Sequence, residues 1–329
     1  MSSLLSIRSM NIKFETPRGL LEAVRNVNLE IPAGASVGIV GESGSGKTVM
    51  SRAAMGLLSG SNVRREGTVV FDGKDLTAMS REDVRNEFGT GMAMIFQDPM
   101  TALNPVRRIG AQISEGLRLR LGMDKRAAMA RSAELLALVR IPDPESMLRK
   151  FPYQLSGGMR QRVMIAIAIS CNPKLLFADE PTTALDVTVQ SQILQILSDL
   201  RRELKMSMVL VTHDLGVVAG NTDFVAVMYA GEVVEQATTT ELFANMKMPY
   251  TEALLKSIPK IDMKSGQRLP VIEGRLPDPT DRPIGCGFAS RCSYVQAKCT
   301  TEHPPLVDAG NGHLFRCWFP LGHSIARKV

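Results

Sequence analysis

Two periods of hydrophobic and polar residues run along this chain and divide it. Residues 4–31 alternate in the two-residue period of strands, broken by a Pro17-Arg18-Gly19 turn. A second turn, Pro32-Ala33-Gly34, leads into the apolar run Val37-Gly38-Ile39-Val40, which reads as a buried strand. The glycine-rich stretch Gly41-Glu42-Ser43-Gly44-Ser45-Gly46-Lys47-Thr48 follows, then helix-compatible residues 49–58. Short β-type runs come at 67–72 and 91–96, the second ending in Gln97-Asp98-Pro99. Over 105–152 the texture changes to Arg, Ala, Leu and Met, with helical periodicity at 127–140, which predicts a helical insertion.

Beyond it, Ser156 stands where a helix N-cap belongs, and the helix it opens runs to about Cys171, stopped by Asn172-Pro173. A fully apolar strand at 175–178 ends in Asp179-Glu180-Pro181. A helix at 187–204, a strand at 208–211 ending in Thr212-His213-Asp214, and a strand at 224–229 repeat the alternation of an α/β domain. From about Ala237 the chain reads as a tail with one helix at 250–258, a linker carrying Pro270, Pro277, Pro279 and Pro283, and four terminal cysteines.

Composition narrows the class. A length of 329 residues suits one large and one small domain, and 44% hydrophobic with 22% charged residues is ordinary for a folded globular chain. No apolar run approaches the ~18 residues that would span a bilayer, and Met1-Ser2-Ser3-Leu4 does not open an export signal. The net charge of +6 is spread over separate pairs such as Arg64-Arg65, Arg107-Arg108 and Arg201-Arg202. This predicts a solvated basic surface rather than a nucleic-acid partner.

The stretch 41–48 fits G-x-x-x-x-G-K-[ST] in strand-loop-helix context, the pattern of a phosphate cradle. Glycines let successive backbone N–H groups face one concavity, and the helix start adds partial positive charge. Lys47 then reaches the β- and γ-phosphates, and the Thr48 hydroxyl ligates Mg²⁺. Asp179, at a strand end, suits Mg²⁺ held through water, and Glu180 suits polarising an attacking water.

Gly41 to Thr48, Gln97, Leu155-Ser156-Gly157-Gly158-Met159, Asp179-Glu180, Ala184-Leu185-Asp186 and His213 stand in the order found in ATP-binding cassette proteins, which the chain resembles over residues 4–240. The resemblance implies a P-loop NTPase fold of the α/β class: a RecA-like core, an N-terminal antiparallel β subdomain and a helical subdomain at about 98–155. It implies a cassette over 1–240 and a small cysteine-containing extension over 241–329. It makes Phe14 the adenine-stacking residue and Gly41, Ser43, Gly44, Ser45, Gly46, Lys47 and Thr48 the phosphate loop. Gln97 is implied as contact to Mg²⁺ and the attacking water, and His213 as contact to the γ-phosphate. Ser156, Gly157 and Gly158 are implied to bind ATP held by an opposite subunit, with Asp186 in the inter-subunit loop. Two cassettes would pair head to tail, each closing the other's ATP.

The tail narrows the group. Pro249-Tyr250-Thr251 with Leu254-Leu255, Asp281-Arg282-Pro283-Ile284-Gly285-Cys286, residues 157–165 and residues 182–188 are similar to the oligopeptide/dipeptide importer ATPases, most of all their dipeptide D-type subunits. That resemblance implies a peripheral subunit on the cytoplasmic face of a bacterial inner membrane. Its partners would be a second ATPase subunit, two transmembrane permeases and an extracytoplasmic solute-binding protein. Di- or oligopeptide cargo is the main expectation; nickel or another small solute is the alternative. From a different class, the alternative is a soluble cassette ATPase acting on ribosomes, nucleic acid or cluster assembly. Cys286, Cys292, Cys299 and Cys317 are spaced C-x5-C-x6-C-x17-C and lack paired zinc knuckles. The resembling importer subunits suggest a [4Fe–4S] cluster there, with zinc or an unliganded set as alternatives. Cys171 reads as an inert buried thiol.

Overall fold

The computed structural model describes residues 3–183, 185–258 and 271–322; Ala184 of the aspartate loop and Pro270 of the tail linker lie outside them. In chain order the first elements are β1 (Ser3–Thr16), β2 (Gly19–Pro32), β3 (Ser36–Val40), α1 (Lys47–Ala54), β4 (Val63–Phe71), β5 (Lys74–Asp75) and α2 (Arg81–Asn86). Next come β6 (Met92–Ile95), α3 (Pro99–Ala102), α4 (Ile109–Leu121), α5 (Lys125–Leu138), α6 (Pro144–Leu148), α7 (Gly157–Ile169), β7 (Leu175–Asp179), α8 (Val187–Glu203) and β8 (Ser207–Thr212). The chain continues with α9 (Leu215–Ala219), β9 (Phe224–Tyr229), β10 (Glu232–Thr238), α10 (Thr239–Asn245), α11 (Pro249–Lys256), α12 (Ala297–Thr301), β11 (Val307–Asp308) and β12 (Leu314–Phe315). No helix among the described residues is long and apolar enough to cross a membrane.

The chain divides into two compact units. The first takes Met1–Leu4, Pro32–Ala35 and Ala78–Val211. Its strands β6, β7 and β8 run parallel, with Ile95 opposite Ala178 and Asp179 opposite Val211. Their residues are buried throughout, which is why they read as unbroken apolar runs. Helices α4, α5 and α7 pack together around Ile113, Leu117, Leu135, Leu136, Val163 and Ile165, each at most 1% exposed. Burying one such side chain is worth about 1.5–3 kcal/mol, and the predicted helical insertion shares this core with α7. Asp124 caps α5 by accepting the Arg126 and Ala127 N–H groups, and Gly122 ends α4 in the left-handed conformation.

The second unit takes Leu5–Ile31, Ser36–Thr77 and Thr212–Val329. It holds the antiparallel sheet β2-β1-β4-β5. The register of β1 on β4 slips between Arg8 and Asn11, and Ser9 there has φ +48°. A second run of strands has β3 parallel to β9, β9 antiparallel to β10, and β10 antiparallel to β12. Helix α1 stops at Ala54 rather than continuing to 58, because Gly56 turns the chain at φ +68°. Strand β10 extends past the point where the sequence reads as tail, and β12 pairs with it at Glu235–Phe315. Tyr229 of β9, Tyr250 of α11 and Phe288 meet edge to face with ring centroids 4.6–5.3 Å apart, at the centre of this unit's core.

Candidate functional site

The second unit shapes residues 41–48 by close backbone packing. A Cβ on Gly41 would lie 2.1 Å from the Met228 carbonyl oxygen, and one on Gly46 would lie 2.5 Å from that of Ala23. Gly46 also has φ +98° at the N-terminus of α1, a conformation open to glycine. The Gly231 N–H donates to the Ser45 carbonyl at 2.8 Å, pinning the loop from β9–β10. Ser45 is fully buried, and its Oγ has no hydrogen-bond partner among the described residues. Lys47 is 4% exposed, and its Nζ donates to the carbonyls of Gly41 at 2.7 Å and Glu42 at 3.0 Å. A buried ammonium needs such acceptors; phosphate oxygens can replace them. Ser43 and Gly44 stand exposed at the lip, and Thr48 is half-buried on α1. In the same unit Phe14 is half-buried on β1 opposite Val63, and His213 is exposed between β8 and α9.

The first unit holds the other predicted residues. Asp179 is fully buried at the end of β7. Glu180 follows at φ +45°, its N–H donating to the Val211 carbonyl at 2.9 Å. A left-handed non-glycine residue carries strain that the surroundings must hold, a state found often at working sites. The Glu180 Oε2 accepts from Gln97 Nε2 at 3.0 Å and from Thr183 Oγ1 at 2.9 Å. Gln97 and Glu180, predicted separately, therefore meet. Thr183 was not singled out from the sequence; its place three residues after Glu180 in a turn was the available signal.

Ser156 caps α7, its Oγ accepting the Met159 N–H at 3.3 Å, and Asp186 caps α8 by accepting the Val189 N–H at 2.9 Å. The two helix starts lie side by side. A Cβ on Gly158 would come 2.9 Å from Val189 Cγ1, and one on Gly157 would come 3.6 Å from Leu185 Cδ2. Ser156, Gly157 and Asp186 are exposed, and Val187 beside them is 83% exposed. This end of the unit offers helix N–H groups outward, the arrangement that takes an anion.

Residues 24–183 match the family model "ABC transporter", and residues 234–299 match "Oligopeptide/dipeptide transporter, C-terminal region". The oligopeptide transport ATP-binding protein OppD of Bacillus subtilis is 46% identical over 99% of this chain and 91% of its own length. The chain belongs to this family. The dipeptide transport ATP-binding protein DppD of the same organism is 44% identical over 97% of this chain and 95% of its own length. Among solved structures, a dimeric post-hydrolysis state of the ATP-binding cassette MJ0796 bound to ADP and Pi superposes with a TM-score of 0.65 at 27% identity. It covers 71% of this chain and 98% of that one. As a member of the oligopeptide/dipeptide ABC transporter ATP-binding family, the chain is an ATPase coupled to transport, and its cassette carries the antiparallel β subdomain expected of it.

The expected [4Fe–4S] cluster is a correction. Cys286, Cys292, Cys299 and Cys317 do line one small cavity, with Met248, Phe288 and Trp318. Yet among the described residues no group of three or more Cys, His, Asp or Glu is arranged to hold a metal ion. Burial pushes the Cys286 thiol up to about 11 and the Cys317 thiol up to about 12, and it raises Cys292 as well. Burial thus favours the neutral thiol at these three positions in the metal-free chain. The relatives, too, are named as ATP-binding proteins. Cys286, Cys292 and Cys317 pack against the aromatic core as small apolar side chains.

Proposed function

We propose that this chain powers a bacterial importer of di- or oligopeptides by binding and hydrolysing ATP at the cytoplasmic face of the inner membrane. Residues 41–48 cradle the phosphates, Lys47 bonds the β- and γ-phosphate oxygens, and Phe14 stacks on the adenine. Thr48, Asp179 and Gln97 each carry an oxygen donor of the kind Mg²⁺ takes, and the ion when bound would neutralise phosphate charge. Glu180 orients the attacking water and accepts its proton, and His213 contacts the γ-phosphate. The exposed start of α7, with Ser156, Gly157 and Gly158, closes over ATP held by a second cassette, with Asp186 at the same interface. Residues 1–240 act as the cassette, with its helical subdomain at about 98–155, and 241–329 as the importer-type extension. Two permeases and an external solute-binding protein complete the assembly.

The observation that carries this reading is the Glu180 carboxylate, strained at φ +45° and held by Gln97 and Thr183. Glu180→Gln keeps the shape and removes the base. Turnover is expected to fall roughly 10²–10⁴-fold, while ATP binding persists and an ATP-dependent dimer accumulates in light scattering. Hydrolysis within tenfold of the wild type would overturn the assignment.

A further inference from the structure

The sequence singled out neither Glu42, the second residue of the stretch 41–48, nor Arg291, 249 residues away. The fold joins them. Arg291 Nη1 donates to Glu42 Oε2 at 2.6 Å and Nη2 to Oε1 at 2.8 Å, a bidentate pair whose guanidinium side chain is 3% exposed. Its remaining donors are also used: Nε to the Glu273 carbonyl at 2.9 Å, Nη2 to the Ile272 carbonyl at 3.0 Å, and Nη1 to Tyr229 Oη at 3.4 Å. An arginine has five N–H donors in a planar fork, so this one has an acceptor for each and no freedom to turn. It also lies over the rings of Tyr229 and Phe288, 5.9 and 6.0 Å from their centroids. Gly274, at φ +86°, leaves it room: a Cβ there would come 3.2 Å from Arg291 Cγ.

Glu42 is held at its other polar atoms too. Its N–H donates to Tyr250 Oη at 3.0 Å, and its carbonyl accepts Lys47 Nζ at 3.0 Å. Two tail residues therefore set the position of the residue on which the loop lysine rests. We propose that Arg291 is a positioning residue for nucleoside triphosphate binding: it anchors the phosphate loop through Glu42 and neutralises a carboxylate that would otherwise face the polyphosphate. This rests on reading 41–48 as the phosphate loop.

Removing Arg291 is worse than removing the pair, because it leaves Glu42 charged beside a polyanion. In the full chain, Arg291→Ala is expected to weaken equilibrium ATP binding about tenfold, a change of about 1.4 kcal/mol. KM should rise with kcat within about twofold, since the loop is bound equally in ground and transition states. Arg291→Lys recovers part of the affinity, having charge without the fork. Glu42→Gln, which leaves the tail core intact, raises KM about threefold, and Arg291→Ala/Glu42→Gln binds ATP better than Arg291→Ala alone. Leu254→Ala, in the same core but not among the partners of Arg291, keeps the wild-type KM while lowering Tm. Wild-type affinity in both Arg291→Ala and Glu42→Gln overturns the proposal, as does a double variant as weak as the two losses multiplied. Lys47→Ala separates the premises: if it loses ATP while Arg291→Ala keeps it, only the anchoring idea falls; if it too keeps ATP, the phosphate-loop reading falls with it.

Discussion

His313 is 1% exposed, and its Nε2 lies 2.8 Å from Oε1 of Glu235, itself fully buried, while Nδ1 lies 3.6 Å from Oε1 of Glu241. The hydrogen bond to Glu235, aided by the charge of both carboxylates, raises the imidazole above its ordinary 6.5 despite burial. A raised pKa means the folded chain holds a proton the unfolded chain releases. The stability from this pair is fully present below about pH 6.5 and is lost as pH rises through the raised value. Melting curves between about pH 6 and pH 9 should show Tm falling more steeply for the wild type than for His313→Gln. Equal slopes would assign the pH dependence to other groups. Glu235 also accepts the Lys247 and Met248 N–H groups, so it joins β10 to the segment before α11. This explains how a buried carboxylate is tolerated there.

At the scale of elements, α7 carries both a local capping rule and a proposed role. Its cap Ser156 satisfies one of the orphan N–H groups of the first turn, and Ser156→Ala should cost about 1 kcal/mol. In a unit of this size that is a Tm decrease of roughly 2–4 °C in calorimetry. The same change removes a hydroxyl from the exposed helix start, so turnover of the paired cassettes should fall further than the stability loss explains, while ATP binding to the single chain is unchanged. Loss of turnover in step with Tm alone would make Ser156 a cap and nothing more. Strands β3, β7, β8 and β9 were legible in the sequence because each is a short apolar run buried on both faces. Helices α2 and α10 were not: only Val84 in α2, and Thr239 and Leu242 in α10, are buried, too few positions to write a period. The short β12 owes its place to pairing with β10 rather than to its own two residues.

At the scale of the molecule, transport tests what ATP binding alone does not. Cells lacking this chain should fail to take up labelled di- and oligopeptides while nickel uptake is normal, and restoring the chain should restore the peptides; a reversed pattern would reassign the cargo. Most of the candidate site was readable because its constraints are local: glycines where Met228 and Ala23 crowd the loop, caps at Ser156 and Asp186, carboxylates closing β7. The Gln97–Glu180 contact was reachable only through the family order of motifs, and Glu42–Arg291 not at all, because no periodicity or spacing connects residues that meet only after the tail has folded. The cysteines misled for the opposite reason. Their clustering and the family resemblance invited a ligand, yet among the described residues no such group is arranged to hold a metal ion.

The pocket that Gly274 opens for Arg291 also limits how this protein can be recombined. Grafted onto a cassette without an acid at the second loop position, this tail would bring a desolvated cation with no counter-charge, and the chimera would carry that penalty into every fold attempt. Residues 41–48 and the tail are thus a matched pair, to be exchanged together or left alone.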